Sequence, residues 1–126
     1  MKGNKDLQGR TKEFALRIIR LYGSLPKTTV AEVVGKQVLR SGISAGAHYR
    51  EAQRAKSDAD FVSKIEGALQ ELDEVAYWLE LLVEAGIVPT EKLSPLVAET
   101  NELIAILVSI VTKIKSRKGA KTKDEG

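Results

Sequence analysis

The side chains best suited to recognition chemistry fall close together, at Lys36, Arg40, His48, Tyr49, Arg50 and Arg54. Arg50 and Arg54 are one helical turn apart, so a helix presents both on one face. Tyr49 lies beside them as a stacking group. Arginine interleaved with an aromatic ring suits RNA or another single-stranded nucleic acid, the cations meeting phosphates and the ring meeting a base. The competing reading is that Arg50 and Arg54 pair with carboxylates of the next helix while Tyr49 packs in the core. Both stand at the level of residue types.

Catalytic chemistry finds less support. Glu66, Glu71, Asp73 and Glu74 form an acidic cluster. General acid–base work needs two such carboxylates in different surroundings, whereas a run on one helix more commonly faces solvent or pairs with cations. His48 is the only histidine and there is no cysteine, so the usual nitrogen and thiolate metal sets are missing. A Glu-x-x-His pair for a di-iron bundle is also missing. A packing or hydrogen-bonding role is expected for His48. There is no P-loop, dinucleotide fingerprint or nucleophile elbow. The expectation is a protein that is not an enzyme and uses no cofactor or metal.

A chain of 126 residues, 43% hydrophobic and 29% charged, has the balance of one soluble domain with a core of its own. The net charge of +3 conceals a polarity. Residues 1–56 hold 12 Lys/Arg against 4 Asp/Glu, residues 57–110 hold 2 against 11, and residues 111–126 hold 6 against 2. Either oppositely charged helices attract at their rims, within the chain or between subunits, or the basic half is a surface for an anionic polymer. The N-terminus lacks the apolar run of a signal peptide. The longest apolar run, Leu103–Val108 followed by Ile110 and Val111, is shorter than a bilayer span needs. A cytoplasmic protein with no membrane partner is expected.

Four helices must position these residues. Asp6 to Tyr22 carries Leu7, Phe14, Ile18, Leu21 and Tyr22 near one face, and Gly23 to Pro26 ends it. The second helix begins at Thr29, where Thr29 and Glu32 match a capping box. Its stripe is Val30, Val34, Val38, Ser41, Ala45 and Ala52, with Gly35, Gly42 and Gly46 among them. Glycine costs a helix stability, so a close neighbour is implied. The third helix, Asp60 to Gly86, is capped by Ser57 and has the stripe Phe61, Ile65, Ala68, Leu72, Val75, Leu79 and Leu82. From Val75 to Val83 it is apolar nearly all round, so Tyr77, Trp78 and Leu81 predict a second burial surface, an oligomer interface. Thr90, then Ser94-Pro95 as a second start, open a fourth helix reaching about Lys115. Residues 1–117 form the domain and 118–126 a disordered polar tail. Short joints predict an all-α, antiparallel up-down-up-down four-helix bundle.

Leu39-Arg40-Ser41-Gly42-Ile43-Ser44-Ala45-Gly46-Ala47-His48-Tyr49-Arg50-Glu51-Ala52 resembles the signature of the bacterial four-helix-bundle proteins encoded in intervening sequences of 23S ribosomal RNA genes. The Ser-x-x-Asp-Phe helix start at Ser57–Phe61 and the aromatic-leucine stretch Tyr77–Leu82 extend the likeness. His48 stands where that signature has Asn. The resemblance covers roughly residues 6–115 and implies an antiparallel bundle that assembles as a homopentamer. Similar bundles are accessory proteins of diversity-generating retroelements, where they engage reverse transcriptase and nucleic acid. The resemblance implies no enzymatic activity. The resulting expectation is a homo-oligomeric RNA-binding accessory factor, with Lys36, Arg40, Arg50 and Arg54 on phosphates and Tyr49 on a base. The alternative is a protein-interaction scaffold without a nucleic-acid role.

Overall fold

The computed structural model describes the backbone of residues 2–125 and the side chains of residues 7–119. Its elements are α1 (Lys2–Ser24), α2 (Thr29–Gln53), α3 (Asp58–Glu84) and α4 (Thr90–Glu125), and no strand occurs among the described residues. Each helix packs on the next, and α4 returns against α1 along the thinnest of the four seams. This is the antiparallel up-down-up-down bundle.

α3 follows its pattern closely. Ile65, Ala68, Leu72, Val75, Leu79 and Leu82 are all buried, while Phe61 is half-buried. Burying one such aliphatic side chain contributes about 1.5–3 kcal/mol. The Ser57 side chain accepts from Asp60 N at 3.1 Å and starts the helix. Gly86, at φ 74°, ends it. Gly86 N donates to Val83 O at 3.0 Å and Ile87 N to Leu82 O at 3.0 Å, the paired bonds of a Schellman cap.

Several sequence expectations are corrected at the helix ends. α1 begins at Lys2 rather than Asp6. The cap of α2 is Thr28, whose hydroxyl accepts from Ala31 N at 3.3 Å, so the Thr29 box is not used. This one-residue shift matters: Ala31 and Gly35 are buried and Val30 is 57% exposed, although Val30 was expected in the core. Pro95 starts no second helix but sits within a continuous α4, where its missing N–H costs one bond near the N-terminal end. α4 also runs past Lys115, to Glu125. Residues 116–125 contain no proline, and one glycine costs a helix only about 1 kcal/mol. Over Thr90–Gly119, α4 is long and apolar enough to cross a membrane by length and composition, contrary to the sequence estimate. Here it packs Leu93, Leu96, Leu103, Leu107 and Val111 into the bundle core.

Small residues set the spacing of α2. A Cβ at Gly42 would lie 2.7 Å from Ile18 Cγ1, 3.0 Å from Cγ2 and 3.1 Å from Cβ. The β-branched Ile18 is stiff at χ1 and its own Cβ is part of the overlap, so side-chain rotation relieves little of it. Gly42→Ala should therefore lower stability by about 1–2 kcal/mol in urea unfolding, the overlap outweighing the helix-propensity gain. Gly9 has nothing within 4 Å of its virtual Cβ. Gly9→Ala should raise stability by up to about 1 kcal/mol in the same assay.

Candidate nucleic-acid interface

On the outer side of the α1–α2 seam lies an open cleft of about 460 Å³, lined by Gln8, Thr11, Lys12 and Ala15 of α1 and by Ile43, Gly46, Ala47, Arg50 and Glu51 of α2, with Arg54 at its C-cap. The lining follows helical spacing on both sides, so each helix contributes one face. Gly46 brings the two together: a Cβ there would sit 3.4 Å from the Thr11 carbonyl oxygen. Lys12, Arg50 and Arg54 are exposed, and among the described residues none has an ion pair. Glu51 is the one carboxylate on the lining, and it turns toward α3. Its Oε1 lies 3.9 Å from Lys64 Nζ and 3.6 Å from His48 Nδ1.

The sequence-predicted site residues separate. Arg50 and Arg54 flank the cleft. Lys36 is exposed, has no ion pair among the described residues, and lies farther along α2, off the cleft lining. Arg40 is already engaged by α3: its Nη2 donates to Glu74 Oε1 at 2.7 Å and its Nη1 lies 3.4 Å from Glu71 Oε1. Ser41 Oγ adds a bond to the same Glu74 oxygen at 3.2 Å. Tyr49 is only 3% exposed, inside the core. Its ring is not available to stack on a base in this fold, because position 49 lies on the same inward stripe as Ala45 and Ala52.

The acidic cluster is largely a set of ion-pair partners. Glu71 and Glu74 hold Arg40, and Glu66 takes Lys115 Nζ at 2.9 Å. Across the α1–α4 seam, Arg10 donates to both oxygens of Glu99, at 3.1 and 2.7 Å, and reaches Glu102 at 3.2 Å. The hydrogen bond to Glu99 raises the Arg10 guanidinium above its ordinary value. His48 packs its ring on Gly67, where a Cβ would come within 3.1 Å of Nδ1. That nitrogen is buried without a hydrogen-bond partner. No group of three His, Asp or Glu side chains suited to a metal ion occurs among the described residues.

At the opposite end of the bundle lies an apolar surface. Tyr77 is 53% exposed, and Trp78 and Leu81 are half-buried. The Tyr77 and Trp78 rings meet at 5.0 Å with planes tilted by 60°. Trp78 Nε1 is buried with no acceptor. Val30 and Val33 of α2, 57% and 58% exposed, lie at this same end.

Sequence reasoning missed Lys12, Val30 and Val33. Nothing in α1 marks Lys12 apart from its other cations until α2 is placed beside it. For the valines a signal existed. The small residues Ala31, Gly35, Gly42 and Ala45 define the buried face better than hydropathy does.

Four antiparallel helices with a basic cleft on the outer side of the α1–α2 seam define a small all-α bundle module. Residues 5–109 match the family model of the 23S rRNA-intervening sequence protein, and the chain belongs to that family. A crystal structure of a protein of unknown function from the S23 ribosomal protein family of Bacteroides thetaiotaomicron is similar. The two superpose with a TM-score of 0.82 and are 39% identical, over 89% of this chain and 99% of that one. No functionally curated protein matches the sequence.

The core position of Tyr49 has a measurable consequence. Burial pushes its phenol above the ordinary value of 10.0. The folded state thus holds the proton more tightly than the unfolded chain. That contribution is complete below about pH 10 and is lost as pH rises through the folded value. Thermal melts should show the wild type losing stability above about pH 10 faster than Tyr49→Phe, and parallel profiles would contradict a buried phenol.

Proposed function

We propose that the chain is a non-enzymatic, self-assembling RNA-binding accessory protein of the cytoplasm. The observation that carries this reading is the exposure of Arg50 and Arg54, with Lys12, around an open cleft and without ion pairs among the described residues. Other cations nearby, such as Arg10, Arg40 and Lys64, lie against carboxylates. Cations left unneutralised at a concave surface raise the local concentration of a polyanion.

Self-association rests on the apolar end. Tyr77, Trp78 and Leu81 of α3, with Val30 and Val33 at the same end of α2, leave hydrophobic area exposed, a feature that marks an interaction surface. A ring, pentameric as the family resemblance implies, requires a heterologous contact between two different faces.

A second reading has an observation of its own. Asp73, Glu80 and Glu84 of α3 are exposed and have no ion pairs among the described residues. This acidic face of one copy could cover the basic cleft of the next, leaving a scaffold with its arginines occupied.

Fluorescence anisotropy with short RNA across a salt series separates the two. Saturable binding that weakens steeply with salt, and is lost in the double variant Arg50→Ala/Arg54→Ala, is the outcome expected here. No binding at low salt would favour the scaffold. For assembly, Trp78→Ala should lower both thermal stability and the mass seen by light scattering. An unchanged mass would remove the interface around that residue.

A further inference from the structure

We infer that the α1–α2 cleft takes one strand of RNA by its sugar-phosphate backbone, with Lys12 as a third phosphate contact and no stacked base. This rests on the RNA-binding reading above and assigns its site and strand class. The cations come from both lips, Lys12 from α1 and Arg50 and Arg54 from the end of α2. Arg50 and Arg54 are a helical turn apart, with Cβ atoms about 6 Å from one another, comparable to the spacing of successive phosphates in an extended strand. Lys12 then meets the same strand from across the cleft.

The floor leaves room for the strand. Ala15, Gly46 and Ala47 place no long side chain in the roughly 460 Å³ space. Glu51, the one acidic group there, is drawn toward Lys64 at 3.9 Å. The cleft is therefore cationic on both sides. A duplex is a stiff rod with its phosphates on a convex surface, whereas a single strand bends to follow a concave, cationic one.

The recognition chemistry is that of the backbone. Single-strand binders that discriminate or grip bases stack them on exposed aromatic rings. Here Tyr49 is 3% exposed, and the one large hydrophobic side chain exposed at the cleft is Ile43, at 42%. Ile43 offers an apolar face to a ribose but no π-surface. Binding is accordingly tolerant of sequence and sensitive to salt.

The test is anisotropy of fluorescein-labelled homopolymeric RNA strands and of a duplex of equal length, each over a salt series. Three phosphate contacts to a single strand give a log–log salt slope of about −2, at about −0.7 per contact. Lys12→Ala should flatten that slope by about 0.7, and Lys36→Ala, off the cleft, should leave it unchanged. Ala47→Glu places a carboxylate at an exposed cleft position. It should weaken binding by roughly tenfold or more, through repulsion of the phosphates, with circular dichroism unaltered. Oligo-U and oligo-A should bind alike, and the duplex more weakly. Wild-type binding that neither Lys12→Ala nor Ala47→Glu alters would overturn the cleft assignment while leaving RNA binding in place. Equal or tighter binding of the duplex would overturn the strand class, and equal competition by polyglutamate would replace RNA with an acidic protein partner. Absence of any wild-type binding would remove the RNA reading itself.

Discussion

Ile18 of α1 rests against the bare Cα of Gly42, and much of the molecule depends on that contact. Packed helices normally stand 8–10 Å apart, and the side chains between them decide where in that range they settle. With Gly35, Gly42 and Gly46 on the α1 side of α2, the seam closes until Gly46 faces the Thr11 carbonyl. The close approach also fixes the axial register. It sets Lys12 across the cleft from Arg50 and Arg54, and it leaves a cleft floored by small residues instead of a filled seam. On its other flank, α2 meets α3 through Ser41, Arg40 and His48, opposite Glu74, Glu71 and Gly67.

Charge is arranged in two tiers. Between helices, Arg10, Arg40 and Lys115 meet carboxylates of α3 and α4. Exposed or half-exposed pairs of this kind contribute little individually, typically about 0–1 kcal/mol, so they select which faces meet more than they hold the bundle together. Outside that layer remain cations with no ion pair among the described residues, and Lys12, Arg50 and Arg54 among them line the cleft. The attraction of oppositely charged helices at their rims is thus realised on one set of residues, and a second set is left exposed. Arg40 belongs to the rim and Arg50 to the open surface.

Much of the architecture was legible in the sequence because it depends on local spacing. The α3 stripe, the Ser57 cap and the Gly86 stop each involve residues a few positions apart, where helical geometry alone fixes the neighbours. The α2 register was misread by one residue at its start. Hydropathy favoured Val30, but the closeness of α1 rewarded Ala31 and Gly35. Tyr49 had two places open to it, on a base or in the core, and the structure shows the core for a related reason. A tyrosine between arginines looks solvent-facing until the inward stripe is drawn through Ala45 and Ala52.

By itself, the sequence determined the four helices, their order and antiparallel sense, the acidic and basic blocks and the face of α3 that is buried. These follow from periodicity, caps and loop length, which act within one element or across one short joint. The tertiary structure alone decided which arginines are neutralised, where Tyr49 points and that Lys12 joins Arg50 and Arg54. Those outcomes depend on the axial offset between helices, set to a fraction of a turn by Gly42 against Ile18 and by Gly46 against Thr11. No pattern along a single helix encodes that offset, because it arises from the shapes of two surfaces fitted together.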